Sequence, residues 1–274
     1  VCSMGFLLIG CKQASKPQQA PTLLADEQKL IMPFLVTDTV ANDTDDPAIW
    51  INFANPSESL VLGTDKHEAG AIYVFDLKGK VVPGKTVRGL KRPNNVDVEY
   101  GLVLNGMATD IAVVTERMTH KIRIFSLPNM QPIDEGGIAV FEGETATDYR
   151  DLMGIGLYKS KAGKIYAIVG RKTGPTDGTY LWQYELSDNG KGNVAAKLVR
   201  KFGKFSGKKE IESILVDDQL GYIYFSDEQA GVRKYYADPE KGNDELAFFA
   251  TDGFAADHEG ISLYATSDST GFLL

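Results

Sequence analysis

The feature that most constrains the fold is a repeat of four short β-strands with a period of roughly 50 residues, a period typical of propeller blades. From Asp45 onward, apolar or alternating runs of strand length are separated by Gly, Asn, Asp and Pro, and no helix of normal length is indicated. The first strands of the successive groups are expected at Pro47–Phe53, Val96–Tyr100, Gly154–Tyr158, Ile211–Val216 and Glu259–Tyr264. The sequence therefore predicts an all-β propeller fold, with about four blades and the start of a fifth.

Composition narrows the class of protein. Hydrophobic residues make up 43% of the 274 residues and charged residues 24%, which are values typical of a globular domain. The formal net charge of −8 argues against nucleic acid as a partner. If the ligand is an anion, something must offset this acidic balance, and bound cations are the simplest means.

The N-terminus resembles a bacterial lipoprotein signal. Leu8-Ile9-Gly10-Cys11 matches the lipobox pattern, in which the cysteine is lipidated, although a chance cysteine after an apolar run is the alternative. We interpret residues 1–11 as the C-terminal part of a signal peptide, 12–24 as a flexible tether and 25–274 as the propeller domain. This predicts a protein of the bacterial cell envelope, either periplasmic or held at the outer membrane or cell surface only through its lipid.

Oxygen-bearing side chains recur at the start of the first strand in four of the five groups. In a propeller these strands all begin at the same mouth of the central channel, so their first residues converge in space. The equivalent positions hold Asp46, Asn95, Met153, Glu212 and Glu259. Carboxylate and amide oxygens are the ligands that Ca²⁺ prefers, which makes this mouth a candidate calcium site.

A second repeated position follows the second strand of each group. It reads Thr64-Asp65-Lys66, Thr115-Glu116-Arg117, Gly170-Arg171-Lys172 and Ser226-Asp227-Glu228. Three groups place a cation there and the fourth places acids. Solvation is the alternative for any single residue, but the set predicts a site for metal ions together with an anion.

The segments Asp45-Asp46-Pro47-Ala48-Ile49-Trp50 and Asn94-Asn95-Val96-Asp97 resemble the two signature segments of the β-propeller phytases. The resemblance runs from about Ala41 to the C-terminus and includes Gly156-Leu157-Tyr158, Gln183-Tyr184-Glu185-Leu186 and Glu259-Gly260. It implies a six-bladed propeller with several calcium ions at one mouth. It also implies hydrolysis of phytate, which is myo-inositol hexakisphosphate.

The resemblance also implies roles for single residues. By position, Asp46, Glu212, Glu228, Asp257 and Glu259 resemble the family's calcium ligands, and we add their neighbours Asp45, Asp97 and Asp227 to the expected metal set. Lys66, Arg117 and Lys172 resemble its phosphate-binding cations, and we add Asn95 and Arg171 as expected substrate contacts.

The chain departs from the family pattern at three positions. Glu99 stands where the second signature usually has arginine, Met153 replaces a tyrosine, and Thr173 replaces a glutamate. We also expect the chain to be a fragment at both ends that stops inside the fifth blade, and to be monomeric.

The expected chemistry is metal-assisted hydrolysis of a phosphomonoester. Lys66, Arg117 and Lys172 would neutralise the charge of the transferring phosphoryl group, and Glu212 or Glu228 would serve as general base. One alternative is a Ca²⁺-dependent lactonase or esterase, although a neutral ester needs no ring of cations. The other is a lipid-anchored propeller that binds a ligand without catalysis.

Overall fold

The computed structural model of the protein describes residues 32–254, 256 and 258–274. The chain divides into one unit at Val1–Phe34 and a second at Leu35–Leu274, and the second holds the described strands. The predicted signal segment 1–11, the tether 12–24, Cys11 and Asp257 lie outside the described residues. Within the described ranges, no helix is long and apolar enough to cross a membrane.

Four antiparallel sheets follow one another along the chain, and we call them blades 1 to 4. Blade 1 contains β1 (Thr44–Trp50), β2 (Leu60–Asp65), β3 (Gly70–Phe75) and β4 (Val87–Leu90). Blade 2 contains β5 (Pro93–Leu104), β6 (Met107–Glu116), β7 (Lys121–Leu127), β8 (Gln131–Pro132) and β9 (Ile138–Ala139). Blade 3 contains β10 (Leu152–Lys159), β11 (Ile165–Arg171), β12 (Leu181–Asp188) and β13 (Val194–Phe202).

Blade 4 contains β14 (Ile214–Asp217), β15 (Tyr222–Asp227), β16 (Gly231–Tyr236) and β17 (Ala247–Phe249), and β18 (Leu263–Ala265) then pairs with β19 (Gly271–Leu273). The helical elements are short 3₁₀ turns at Pro56–Glu58, Arg117–Thr119, Thr147–Arg150 and Pro239–Lys241. The predicted all-β fold and its four-strand repeat are confirmed.

The first strand of each blade lies beside the first strands of its neighbours. Strands pair in chain order within each blade, apart from β9, which pairs with β7 beside β8. Contacts between blades join β1 to β5, β5 to β10 and β10 to β14. The first strands are therefore the inner ones, as a propeller requires.

The hydrophobic core lies between adjacent blades. Leu62 and Ile72 of blade 1 pack with Val114 and Phe125 of blade 2 in one cluster of buried side chains. A second cluster joins blades 2 and 3, and a third joins blades 3 and 4. Because both faces of a blade are covered, β3 and β11 are buried along their whole length and do not alternate between buried and exposed residues.

Three inner strands begin with the same irregularity. Pairing with the second strand shifts register between Thr44 and Pro47, between Pro93 and Val96, and between Leu152 and Ile155. In blades 1 and 2 a threonine of the second strand closes the irregularity: Thr64 Oγ1 accepts a hydrogen bond from the Asp46 amide (2.9 Å), and Thr115 Oγ1 from the Asn95 amide (3.0 Å). The recurring position read from the sequence is thus a recurring β-bulge.

Aspartates of the inner strands bond to the backbone of the next blade. Asp46 Oδ2 accepts a hydrogen bond from the Val96 amide at 2.8 Å. Asp97 Oδ2 accepts one from the Leu157 amide at 2.7 Å. These two bonds tie blade 1 to blade 2 and blade 2 to blade 3.

Blade 4 begins later than the sequence suggests. β14 starts at Ile214 rather than Ile211, so residues 210–212 precede the strand. This segment crosses the start of β10 so closely that a Cβ on Gly154 would overlap the Glu212 carbonyl oxygen. Gly154 is therefore required for the approach that sets the backbone of Glu212. The fifth group also starts later, at Leu263, which leaves Glu259 ahead of its strand.

Candidate active site

Three glutamates converge at the mouth where the inner strands begin. One carboxylate oxygen from each of Glu210, Glu212 and Glu228 lies within 4.8 Å of the other two, and we call these residues the carboxylate cluster. Glu210 and Glu212 lie on the segment that leads into β14, and Glu228 directly follows β15. The Glu228 amide donates to the Glu210 carbonyl at 3.0 Å, which holds the two backbones together.

Burial and the neighbouring negative charges disfavour the ionised forms of Glu212 and Glu228. Burial raises the pKa of Glu212 to about 7, with further contributions from the neighbouring charges of Asp45, Glu210 and Glu228, while Lys66 opposes the shift. Burial also raises the pKa of Glu228, and Lys209 opposes that shift from 2.9 Å. Carboxylates gathered in this way attract cations.

Cationic side chains surround the cluster. Lys66 Nζ lies 2.5 Å from Asp45 Oδ1, and Lys172 Nζ forms an ion pair with Glu210. Arg117 donates from Nε to the Leu152 carbonyl at 3.0 Å. Burial lowers the pKa of Arg117, as does the charge of Arg92, whereas the charges of Glu210 and Glu212 raise it. The cations predicted from three successive blades therefore lie around one group of acids.

A cavity of about 180 Å³ lies beside the cluster along the inner strands. Its lining includes Asp46, Asn95, Asp97 and Glu212. Burial raises the pKa of Asp46 and of Asp97 to about 7. Asn95 Oδ1 is buried and has no hydrogen-bond partner in the part of the chain that the structure describes. The predicted oxygen-bearing positions of blades 1 and 2 thus share one cavity with Glu212.

Two residues of the predicted set bind groups that are not part of the carboxylate cluster. Arg171 is fully buried, and its guanidinium bonds to Glu144 and to backbone carbonyls inside blade 3. Asp227 accepts hydrogen bonds from Ser206 and forms an ion pair with Arg233 at 2.7 Å. We therefore assign Arg171 and Asp227 to holding the fold, in place of the substrate contact and the metal ligation expected from the sequence.

The remaining positions differ in where they lie. Glu259 is exposed, and it lies near enough to Glu228 for its charge to help raise the pKa of that residue. Met153 is buried between the Asn94 amide, 3.6 Å from its sulfur, and Arg117. Glu99 lies beside Asp218, and burial raises its pKa to about 8.

Sequence reasoning missed Glu210 and Lys209. Glu210 is two residues before Glu212, a spacing that places both side chains on the same side of an extended segment. That spacing is the signal that could have identified Glu210. Lys209 lies in a run of charged residues from Lys208 to Glu210, where nothing in the sequence marks it as a partner of Glu228.

Comparison with known proteins agrees with this geometry. The family model described as Phytase matches residues 12–274. The chain is similar to a 3-phytase of Bacillus subtilis (strain 168), with 32% identity over 249 residues, which is 87% of this chain and 61% of that protein. It therefore spans less than two thirds of the length of this relative. The blades, the oxygen-lined mouth and the family match together lead to one conclusion: the chain belongs to the phytase family.

Proposed function

We propose that the protein is a calcium-dependent phosphomonoester hydrolase that acts on phytate and releases phosphate by attack of water. The observation that carries this proposal is the carboxylate cluster with Lys66, Arg117 and Lys172 around it at one mouth. Membership of the phytase family and the similarity to a 3-phytase support the choice of substrate.

The cluster fits a calcium ion. Its donors are all carboxylate oxygens, which suit a hard cation. Oxygens bound to one Ca²⁺ lie at most about 4.6–5.2 Å apart, and one oxygen from each glutamate lies within 4.8 Å of the other two. Glu228 Oε1 is buried, and no described residue hydrogen-bonds to it. Glu210, Glu212 and Glu228 would hold the ion, with Asp45 and Glu259 nearby. When bound, calcium would polarise the phosphate and lower the pKa of a water molecule.

The cations of blades 1 to 3 would bind and orient the phosphoryl group. Lys66, Arg117 and Lys172 follow the second strands of three different blades, so together they could contact more than one phosphate oxygen. Their charge counts most in the transition state, where negative charge spreads over the transferring group. Glu212 or Glu228 would accept the proton of the attacking water through a carboxylate oxygen that does not bind the ion.

Phosphate release from phytate tests the proposal. Activity should require calcium and disappear with chelator. Arg117→Ala and Lys172→Ala should each lower kcat/KM by at least about tenfold, because a charge-assisted contact contributes about 1.5–3 kcal/mol.

The matched control is Lys191→Ala, which removes a lysine from the turn between β12 and β13. This variant should keep the wild-type rate. Full activity in the Arg117 and Lys172 variants would place the site elsewhere. Calcium binding without any phosphate release would favour a binding propeller, and hydrolysis of neutral esters alone would favour a lactonase or esterase.

We also propose that the protein is lipid-anchored in the bacterial cell envelope through Cys11. The lipobox-like segment Leu8-Ile9-Gly10-Cys11 supports this location.

A further inference from the structure

The loop that carries Lys172 is closed at its base by one buried arginine. Arg171 ends β11, and none of its side chain is exposed. Across the loop, its Nε donates to the Tyr180 carbonyl (2.8 Å) and its Nη2 to the Thr179 carbonyl (2.9 Å). The Tyr180 hydroxyl donates back to the Arg171 carbonyl. Residues 172–179 are therefore held as a closed loop.

The same guanidinium also binds a second backbone segment that contacts Lys172. Its Nη1 donates to the Tyr149 carbonyl at 3.1 Å and to Glu144 Oε1 at 2.9 Å. Tyr149 belongs to the 3₁₀ turn Thr147–Arg150, and the carbonyl of Asp151, which follows this turn, accepts a hydrogen bond from the Lys172 amide at 2.7 Å. Arg171 thus ties both backbone segments that meet at Lys172.

The loop is also packed directly on the guanidinium. A Cβ on Gly174 would lie 2.8 Å from Arg171 Nε and 2.9 Å from the Tyr180 ring. The Phe141 ring covers the guanidinium, with 4.5 Å between the guanidinium carbon and the ring centroid. A loop in such contact cannot shift unless Arg171 shifts with it.

From these contacts we propose that Arg171 is a positioning residue that holds the Lys172 ammonium against Glu210, at the edge of the carboxylate cluster. The role of Lys172 toward phosphate rests on the function proposed above, whereas the positioning itself does not. The planar fork of Arg171 makes four bonds in fixed directions, which a lysine cannot reproduce.

Acylation of single lysines tests the positioning without any assay of activity. The full protein is treated with an amine-acylating reagent, and peptide mass spectrometry follows Lys172, Lys66 and Lys191. In the wild type, the ion pair with Glu210 should slow labelling of Lys172 relative to Lys191 in its exposed turn. In Arg171→Met the rate at Lys172 should rise by about threefold to tenfold, the factor for loss of one ordinary contact. The rate at Lys66 should not change.

Two further variants keep the test decisive if Arg171→Met folds poorly. Gly174→Ala keeps the buried charge but displaces the loop, so it should also raise labelling of Lys172. Arg200→Met is the matched control, because Arg200 is buried in β13 of the same blade and bonds to Asn243 and to the Tyr236 carbonyl. It should destabilise the protein and leave labelling of Lys172 unchanged.

Kinetics with phytate then connect positioning to function. Misplacing a binding group by about 1 Å can lower the reaction rate by up to about a hundredfold. Arg171→Met and Gly174→Ala should therefore lower kcat/KM by about tenfold or more. Arg171→Lys should show the same loss, because lysine cannot make the four bonds. If the wild type releases no phosphate, the proposed function fails while the labelling result still decides the positioning. Unchanged labelling of Lys172 in both loop variants, or an equal rise in Arg200→Met, would overturn the inference.

Discussion

Replacing Glu212 by glutamine should stabilise the protein when calcium is removed. Glu212 shares the mouth with Glu210, Glu228 and Asp45, and burial and these charges raise its pKa from 4.5 to about 7. Its ionised form is therefore disfavoured in the folded protein. Glutamine has nearly the same shape and carries no charge, so Glu212→Gln removes this penalty and also removes a proposed metal ligand.

The pKa shift sets the size and the pH range of the effect. At about 1.4 kcal/mol per pKa unit, ionising Glu212 costs roughly 3 kcal/mol relative to the unfolded chain. The side chain is partly exposed, so screening reduces this to about 1–2 kcal/mol. The unfolded chain loses the proton near pH 4.5 and the folded protein near pH 7. Stability therefore falls as the pH rises through this window, and the penalty is complete above it.

Thermal melts of the full protein measure the effect. At pH 8 with chelator, Glu212→Gln should melt about 2–8 °C above the wild type, at about 2–4 °C per kcal/mol. At about pH 4, where the carboxyl is protonated in both states, the difference should vanish. With excess calcium the order should reverse, because only the wild type has the complete set of ligands, and a tenfold difference in affinity corresponds to about 1.4 kcal/mol.

Glu185→Gln is the matched control, since Glu185 is also partly exposed but lies on β12 and pairs with Lys164 at 3.3 Å. It should show neither the gain at pH 8 nor the reversal with calcium. If Glu212→Gln melts at or below the wild type in chelator at pH 8, the argument from repulsion is refuted.

Two other predictions separate neighbouring roles. Asp227→Asn removes one partner of Arg233, so it should lower the free energy of unfolding by about 3 kcal/mol in denaturant titrations. Because Glu245 still pairs with Arg233, the variant should fold, and calcium should still stabilise it. Glu228→Gln should instead abolish much of the calcium response, and the opposite pattern would contradict both assignments. Cys11→Ser should release the protein from the membrane fraction, because lipid attachment requires the sulfur, and unchanged fractionation would show that the lipobox interpretation is wrong.

The fold was accessible from the sequence because each blade repeats the same local pattern. Short apolar strands bounded by turn residues mark the blades, and in blades 1 to 3 the inner strand starts at an equivalent position. The bulges at Asp46 and Asn95 preserve that equivalence in space. The later start of β14 was not predictable, because the segment before it is shaped by its approach to Gly154 in another blade.

The direction in which a single side chain points was harder to predict from the sequence. In Arg171-Lys172 and in Asp227-Glu228, the sequence offers two charged neighbours at the end of a strand, and we assigned both of each pair to the site. Successive side chains of a strand point to opposite faces, so only one of each pair can face the mouth. Which one does so depends on partners such as Arg233, which are set by tertiary packing.

The hydrogen bonds that Asp46 accepts from the Val96 amide and Asp97 accepts from the Leu157 amide make neighbouring blades depend on each other. The inner strands β5 and β10 each obtain the partner for one backbone amide from the blade that precedes them in the chain. Blades 2 and 3 therefore cannot each complete their backbone hydrogen bonding in isolation, although each is a complete sheet. Folding of neighbouring blades should therefore be coupled, so that a defect in one blade also weakens the blade bonded to it.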